Sequence, residues 1–223
     1  MSAARELTLF DLDHTLIPFD SGLHWARFWG AQGVLEPQVA EAYLAQCQAY
    51  VEGQVSIEAL HSLAVATLAR FGVEEGTALQ ARFGAAIAGV IPLAARMLVE
   101  RHRQAGALCA IVTTTNELIA QPFARAFGVD ALLATRIIVE GDAYAGAIAG
   151  LPCHGDEKIR RVEDWLSSQG LDWQDFAATR FYSDAFSDLP LLERVAEPIV
   201  VRPDARLRAH AFAHGWQVIE ALA

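Results

Sequence analysis

The spacing of apolar positions changes twice along the chain. Residues 7–10, LTLF, form a short apolar run that predicts a buried strand, and it ends in Asp11 and Asp13. From about residue 20 to 88 the spacing is helical only. Pro37 suits a first helical position, and Val39, Tyr43, Cys47 and Tyr50 follow on one face. Ser56 can cap the next helix, whose stripe is Ile57, Leu60, Ala64, Leu68 and Phe71. From Pro92 the texture alternates. A helix is predicted from Leu93 to Gln104, the apolar strand ALCAIV runs into TTTN, and a second helix ends at Phe127 with Gly128 as its stop. VDALLAT predicts a strand, RIIVEGDAYAGAIAG a hairpin around Gly141 and Asp142, and residues 155–168 a helix. TRFYSD, EPIVVR and GWQVIEAL supply the last strands.

Strands alternating with helices argue for a parallel sheet covered on both faces. The expected class is therefore α/β: a doubly wound, Rossmann-like parallel sheet over residues 1–18 and 89–223, with an all-helical cap inserted at residues 19–88. Composition narrows the function. A 53% hydrophobic chain of 223 residues packs a core and is not disordered. A net charge of -10 disfavours tracking a nucleic-acid backbone. No apolar run reaches the ~18 residues of a membrane span, and MSAARELTLF lacks the apolar stretch of a signal peptide. Cys47, Cys109 and Cys153 are odd in number and far apart, which speaks against a zinc site and a disulfide framework and for a reducing cytoplasm. Nothing in the pattern indicates an oligomeric state.

Carboxylates at the end of a buried strand need compensation, because an isolated one out of water costs several kcal/mol or shifts its pKa. Ligands in an open parallel sheet bind beyond the carboxyl ends of the strands. Thr113 follows AIV, Asp184 follows RFYS with Asp188 four residues on, and Lys158 opens the helix before that strand. Several carboxylates in one crevice invite a hard divalent cation such as Mg²⁺, which in turn attracts a phosphate. Lys158 and Thr113 suit phosphate oxygens. A carboxylate beside a held phosphate is placed to attack phosphorus, and a second, two residues along, to protonate the leaving oxygen.

FDLDHT, with Asp11, Asp13 and Thr15, resembles the DxDxT signature of the haloacid dehalogenase (HAD) superfamily. IVTTTN, Lys158 in GDEKIRR, and YSDAFSDLPLL resemble its second, third and fourth motifs in the right order, over residues 10–192. The helical insert is similar to that of the phosphoserine-phosphatase-like branch, and FDLDHTLIPFDS, TTTN and FYSDAFSDLPLLE to bacterial members described as histidinol-phosphate phosphatases. The resemblance implies Asp11 as nucleophile and metal ligand, and Asp13 as acid/base whose backbone carbonyl also meets the metal. It implies Thr113 and Lys158 as phosphoryl holders, Asp184 as a direct Mg²⁺ ligand, Asp188 as one acting through water, and Thr15 as support for the first loop. Where many relatives carry GDGxND this chain has SDAFSD, which keeps the acidic spacing. Around EGQVSIEALHSLAVATL the insert offers no arginine until Arg70, which weighs against phosphoserine.

Asp20 and His24 begin the insert beside the nucleophile and are candidate substrate contacts, as are Thr114 and Asn116 in the TTTN run. His154 lies near Lys158 and could line the mouth. His14 is expected to point away, His210 and His214 to form a solvated face, and Trp25, Phe28, Trp29 and Cys109 to be buried packing. The expected activity is Mg²⁺-dependent hydrolysis of a small phosphorylated metabolite through an aspartyl-phosphate, with histidinol phosphate the candidate ester and phosphoserine the alternative. Dehalogenation shares the fold but releases a halide that needs no proton, so Asp13 argues against it. A non-enzymatic phosphate-binding module would be expected to lack one of the catalytic groups, and none is missing.

Overall fold

A computed structural model describes residues 5–33 and 36–222. Residues 1–4 and 223, which the sequence assigns to the core, lie outside the described residues. The sheet has six strands in the order β3-β2-β1-β6-β7-β8, and every pairing within it is parallel. They are β1 (Glu6–Phe10), β2 (Leu108–Asn116), β3 (Ala131–Thr135), β6 (Ala178–Ser183), β7 (Glu197–Val201) and β8 (Gln217–Ile219). Strand β1 is central. The chain adds β2 and β3 on one side of it and β6, β7 and β8 on the other, so the winding reverses between β1 and β6. That reversal opens a crevice at the carboxyl ends of the two strands.

Both faces of the sheet are covered, which is why its strands are apolar nearly throughout rather than alternating. One face packs on α5 (Leu93–Gln104) and α6 (Glu117–Phe127) through Phe10, Cys109, Ile111, Val99 and Phe123. The other packs on α7 (Asp156–Ser168), α8 (Leu189–Arg194) and α9 (Ala205–His214) through Leu7, Leu9, Val162, Leu192 and Leu207. Helix α6 starts where the Asn116 side chain accepts from the Ile119 N–H and stops at Gly128, whose φ of 67° is left-handed and favours glycine.

Between β1 and α5 the chain forms four helices, α1 (Ser21–Ala31), α2 (Pro37–Val51), α3 (Ile57–Leu68) and α4 (Val73–Ile87), none adding a strand to the sheet. Pro37 opens α2 and Ser56 caps α3, as the sequence predicts, and the Asp20 side chain caps α1. Trp25, Trp29 and Cys109 are buried packing residues, as expected. The hairpin also forms, from β4 (Ile137–Glu140) and β5 (Ala143–Ile148), as a separate antiparallel pair. It joins the helices, with the Val73 N–H donating to the Asp142 carbonyl at 2.8 Å and Tyr144 packing against Gly76.

Candidate active site

Strand β1 ends at Phe10, paired with Tyr182 of β6, and the Asp11 N–H still donates to the Tyr182 carbonyl at 2.8 Å. The register therefore sets Asp11 beside the end of β6, where Ser183 and Asp184 follow. A cavity of about 190 Å³ opens there, between the strand ends and helices α2 and α3. The residues around it include Asp11, Asp13, Asp20, Thr113, Thr114, Asn116, Lys158, Asp184 and Asp188, so nine of the ten candidates from the sequence meet at one place.

Lys158 holds the centre. It is 1% exposed, yet its Nζ donates to Asp11 Oδ1 at 2.9 Å and to Asp188 Oδ2 at 2.7 Å. The Ser183 hydroxyl also donates to Asp188 Oδ2, at 2.7 Å. Burial works against the ammonium, and the Asp11 and Asp188 carboxylates overcome it, so Lys158 stays charged. Burial pushes the Asp11 carboxyl well above the usual range; Lys158 pulls it back, and Asp188, Asp184 and Asp13 push it up again. Asp184 is raised to about 6, chiefly by burial, against the Thr15 hydroxyl that donates to its Oδ1 at 3.0 Å. Four carboxylates around one ammonium leave negative charge in excess.

Asp13 is gripped at both oxygens. The Ser21 N–H, at the start of α1, donates to Oδ1 at 2.6 Å, and the Thr115 hydroxyl donates to Oδ2 at 2.6 Å. Asp20 caps the same helix, accepting from the Leu23 N–H at 2.7 Å, and burial followed by the nearby Asp13 raises it to about 6. The three threonines at the end of β2 aim differently. Thr113 Oγ1 accepts from the Thr115 N–H at 3.2 Å, which leaves its own proton free to donate into the cavity. The Thr114 hydroxyl donates to the Cys153 carbonyl at 3.0 Å.

The expectation for His24 is corrected: it is absent from the cavity wall, its ring packing 4.9 Å from Phe19 and 5.9 Å from Phe83. One helical turn past the Asp20 cap, its side chain follows the apolar face of α1. His14 is also corrected, for it lines the cavity from a left-handed φ of 55°. That backbone is held by Arg202, which donates to the His14 and Thr15 carbonyls from 188 and 187 residues away. His154 lines the cavity, whereas His210 and His214 stack on each other on α9 and do not.

Sequence reasoning missed several wall residues. Tyr43, Cys47 and Tyr50 of α2, and Ile57, Leu60, His61 and Ala64 of α3, face the cavity. Their helical stripes were legible, but not what the stripes cover; tyrosines, with polar tips on apolar bodies, were the available signal. Thr115 lies inside the TTTN run, and its neighbours there were the available signal. Arg202 had no local signal.

The donors suit a small hard cation. Among the described residues no three His, Cys, Asp or Glu side chains converge as a metal cluster. The Asp11 and Asp184 carboxylates both line the cavity and could hold such a cation, since Mg²⁺ uses one or two carboxylates and keeps waters.

The chain is similar to known proteins of one family. A model of the haloacid dehalogenase-like hydrolases matches residues 8–193. A histidinol-phosphatase of Neisseria meningitidis is 35% identical over 219 residues, covering 96% of this chain and 98% of that one. A Bordetella pertussis protein whose crystal structure was described with unknown function superposes with a TM-score of 0.91 at 39% identity, over 98% of this chain and 99% of that one. A phosphoserine phosphatase solved as a phospho-aspartyl intermediate analogue shares the fold, with a TM-score of 0.67 at 20% identity, over 98% and 94% of the two chains.

Proposed function

The chain belongs to the haloacid dehalogenase-like hydrolases and is a phosphatase of that family, and from this we propose that it is a Mg²⁺-dependent enzyme that hydrolyses a small-metabolite phosphate monoester through an aspartyl-phosphate. The observation that carries the reading is Asp11, a buried carboxylate 2.9 Å from the Lys158 ammonium at the crevice where the sheet reverses. Asp11 attacks phosphorus; the new Asp11 O–P bond forms as the ester P–O bond breaks. Asp13 gives its proton to the leaving oxygen, then takes one from the water that cleaves the aspartyl-phosphate and restores Asp11. Lys158 and the Thr113 hydroxyl hold phosphoryl oxygens, and Lys158 balances charge on Asp11. Asp11, Asp13, Asp184 and Asp188 would hold Mg²⁺, which would further neutralise the phosphoryl group when bound. Residues 19–88 act as a cap over a core of residues 1–18 and 89–223, excluding water and choosing the leaving group.

The cavity's charge supports a cationic leaving group. Among the described residues around it, Lys158 is the single lysine or arginine, and it is already committed to two carboxylates. Asp20 stands on the helix side with Tyr43 and Tyr50. An ammonium or imidazolium fits there; the carboxylate of phosphoserine would meet Asp20 with no arginine to receive it. With the name of the Neisseria relative, this favours histidinol phosphate as the ester. Three free, buried cysteines suit a reducing cytoplasm.

The test is a screen of phosphorylated metabolites with Mg²⁺, including histidinol phosphate, phosphoserine and phosphocholine. Histidinol phosphate should give the highest kcat/KM, and Asp11→Asn should bring every ester below detection. Turnover retained in a clean Asp11→Asn preparation defeats the nucleophile assignment; phosphoserine as best ester defeats the leaving-group assignment.

A further inference from the structure

The Thr115 hydroxyl lies 2.6 Å from Asp13 Oδ2, and this contact crosses from β2 to the loop after β1, 102 residues apart. Thr115 Oγ1 is also 3.2 Å from the Ser21 hydroxyl, while the Ser21 N–H takes the other Asp13 oxygen at 2.6 Å. The Asp13 carboxyl is thus fixed in rotation by two donors on opposite sides. One belongs to the sheet and the other to the first turn of the helical block. Asp13 is only half-buried, so without the threonine donor its second oxygen would turn toward water. No packing need explains a hydroxyl here, because valine has the same shape.

We propose that Thr115 is a positioning residue that aims Asp13 at the leaving oxygen, with the adjacent Ser21 as its partner. The inference rests on the proposed acid role of Asp13. An aimed acid matters in proportion to how much the leaving group needs a proton. An alkoxide needs one badly, and an acidic nitrophenolate hardly at all. Loss of Thr115's hydroxyl should therefore steepen the dependence of rate on leaving-group basicity, which a merely structural role would not do.

The experiment measures kcat/KM, which reports the steps through formation of the aspartyl-phosphate, for a ladder of phosphate monoesters from p-nitrophenyl through phenyl to alkyl phosphates. Wild type, Thr115→Val, Thr115→Ser and Asp13→Asn are compared with Mg²⁺ present. Thr115→Val should lose on the order of 10-fold or more on alkyl esters and only about 2-fold on p-nitrophenyl phosphate. Thr115→Ser should restore the wild-type slope. Activity on the activated ester shows that the valine variant is folded. Equal losses along the ladder, with a steep slope in Asp13→Asn, overturn the role of Thr115 and leave the acid standing. A slope unchanged in Asp13→Asn overturns the acid and the positioning role together.

Discussion

His61 is a neutral imidazole in the cavity wall, 4% exposed, with its Nε2 3.4 Å from the Thr135 hydroxyl. Burial lowers its pKa from the ordinary 6.5 to about 4, against a hydrogen bond with the Thr114 backbone and the charge of Glu58, while nearby His154 lowers it further. In the unfolded chain it protonates near 6.5, in the folded chain only near 4. The stability it contributes is whole above pH 6.5 and is lost as pH falls toward 4, where the unfolded state binds the extra proton. Asp20 and Asp184 run the other way. Their folded pKa values near 6 exceed the ordinary 3.8, so each adds stability below 3.8 and gives it up as pH rises through 6. A comparison of urea unfolding for wild type and His61→Gln cancels the carboxyl contribution. Between pH 6.5 and 4 the wild type should lose roughly 1 kcal/mol per pH unit relative to the variant. Parallel pH profiles would mean that His61 is charged when folded.

The elements show where local pattern suffices and where it stops. Two helices of the block, α2 and α3, were legible from a stripe and an opening residue, because burial of one face imposes the 3.6-residue period whatever lies opposite. What lies opposite differs from helix to helix: Tyr43 and Cys47 of α2 face the cavity, while Trp25 and Trp29 of α1 pack on Phe83 and Phe71. The hairpin was readable from Gly141 and Asp142, but its seat on α4 was not. That seat is tight. A Cβ added at Gly76 would lie 2.5 Å from Tyr144 Cε2 and 2.6 Å from its hydroxyl. Tyr144 is buried and has little room to yield. Gly76→Ala gains at most about 1 kcal/mol of helix propensity and meets about 1–3 kcal/mol of overpacking. Net destabilisation of about 1 kcal/mol is expected in denaturant titrations. In a Tyr144→Leu background the same change should be neutral or stabilising, and an unchanged loss there would place the clash elsewhere.

At the scale of the molecule, the excess of carboxylate at the crevice is a strain that a bound cation relieves. Mg²⁺ should raise the melting temperature by several degrees, since about 100 times the Kd is worth about 2.7 kcal/mol and each kcal/mol moves a domain of this size by ~2–4 °C. Asp184→Asn removes one of the repelling charges and one donor. It should raise the metal-free melting temperature and erase the Mg²⁺ shift. Removal of Mg²⁺ by chelation should stop turnover reversibly. A full Mg²⁺ shift in Asp184→Asn would remove that residue from the donor set.

The sequence by itself determined the α/β class, the strand and helix order, and the family, because these depend on periodicity and on short motifs whose residues are neighbours in the chain. It also placed the principal acids at strand ends, where an open parallel sheet collects ligands. Only the tertiary structure decided which side chains complete the cavity. Thr115 reaches Asp13 across 102 residues, Arg202 props the His14 carbonyl across 188, and His24 turns onto Phe19 instead of the cavity. A pattern of apolar positions states which face is buried; it carries no address for the partner, and that address is written by strand register and packing alone.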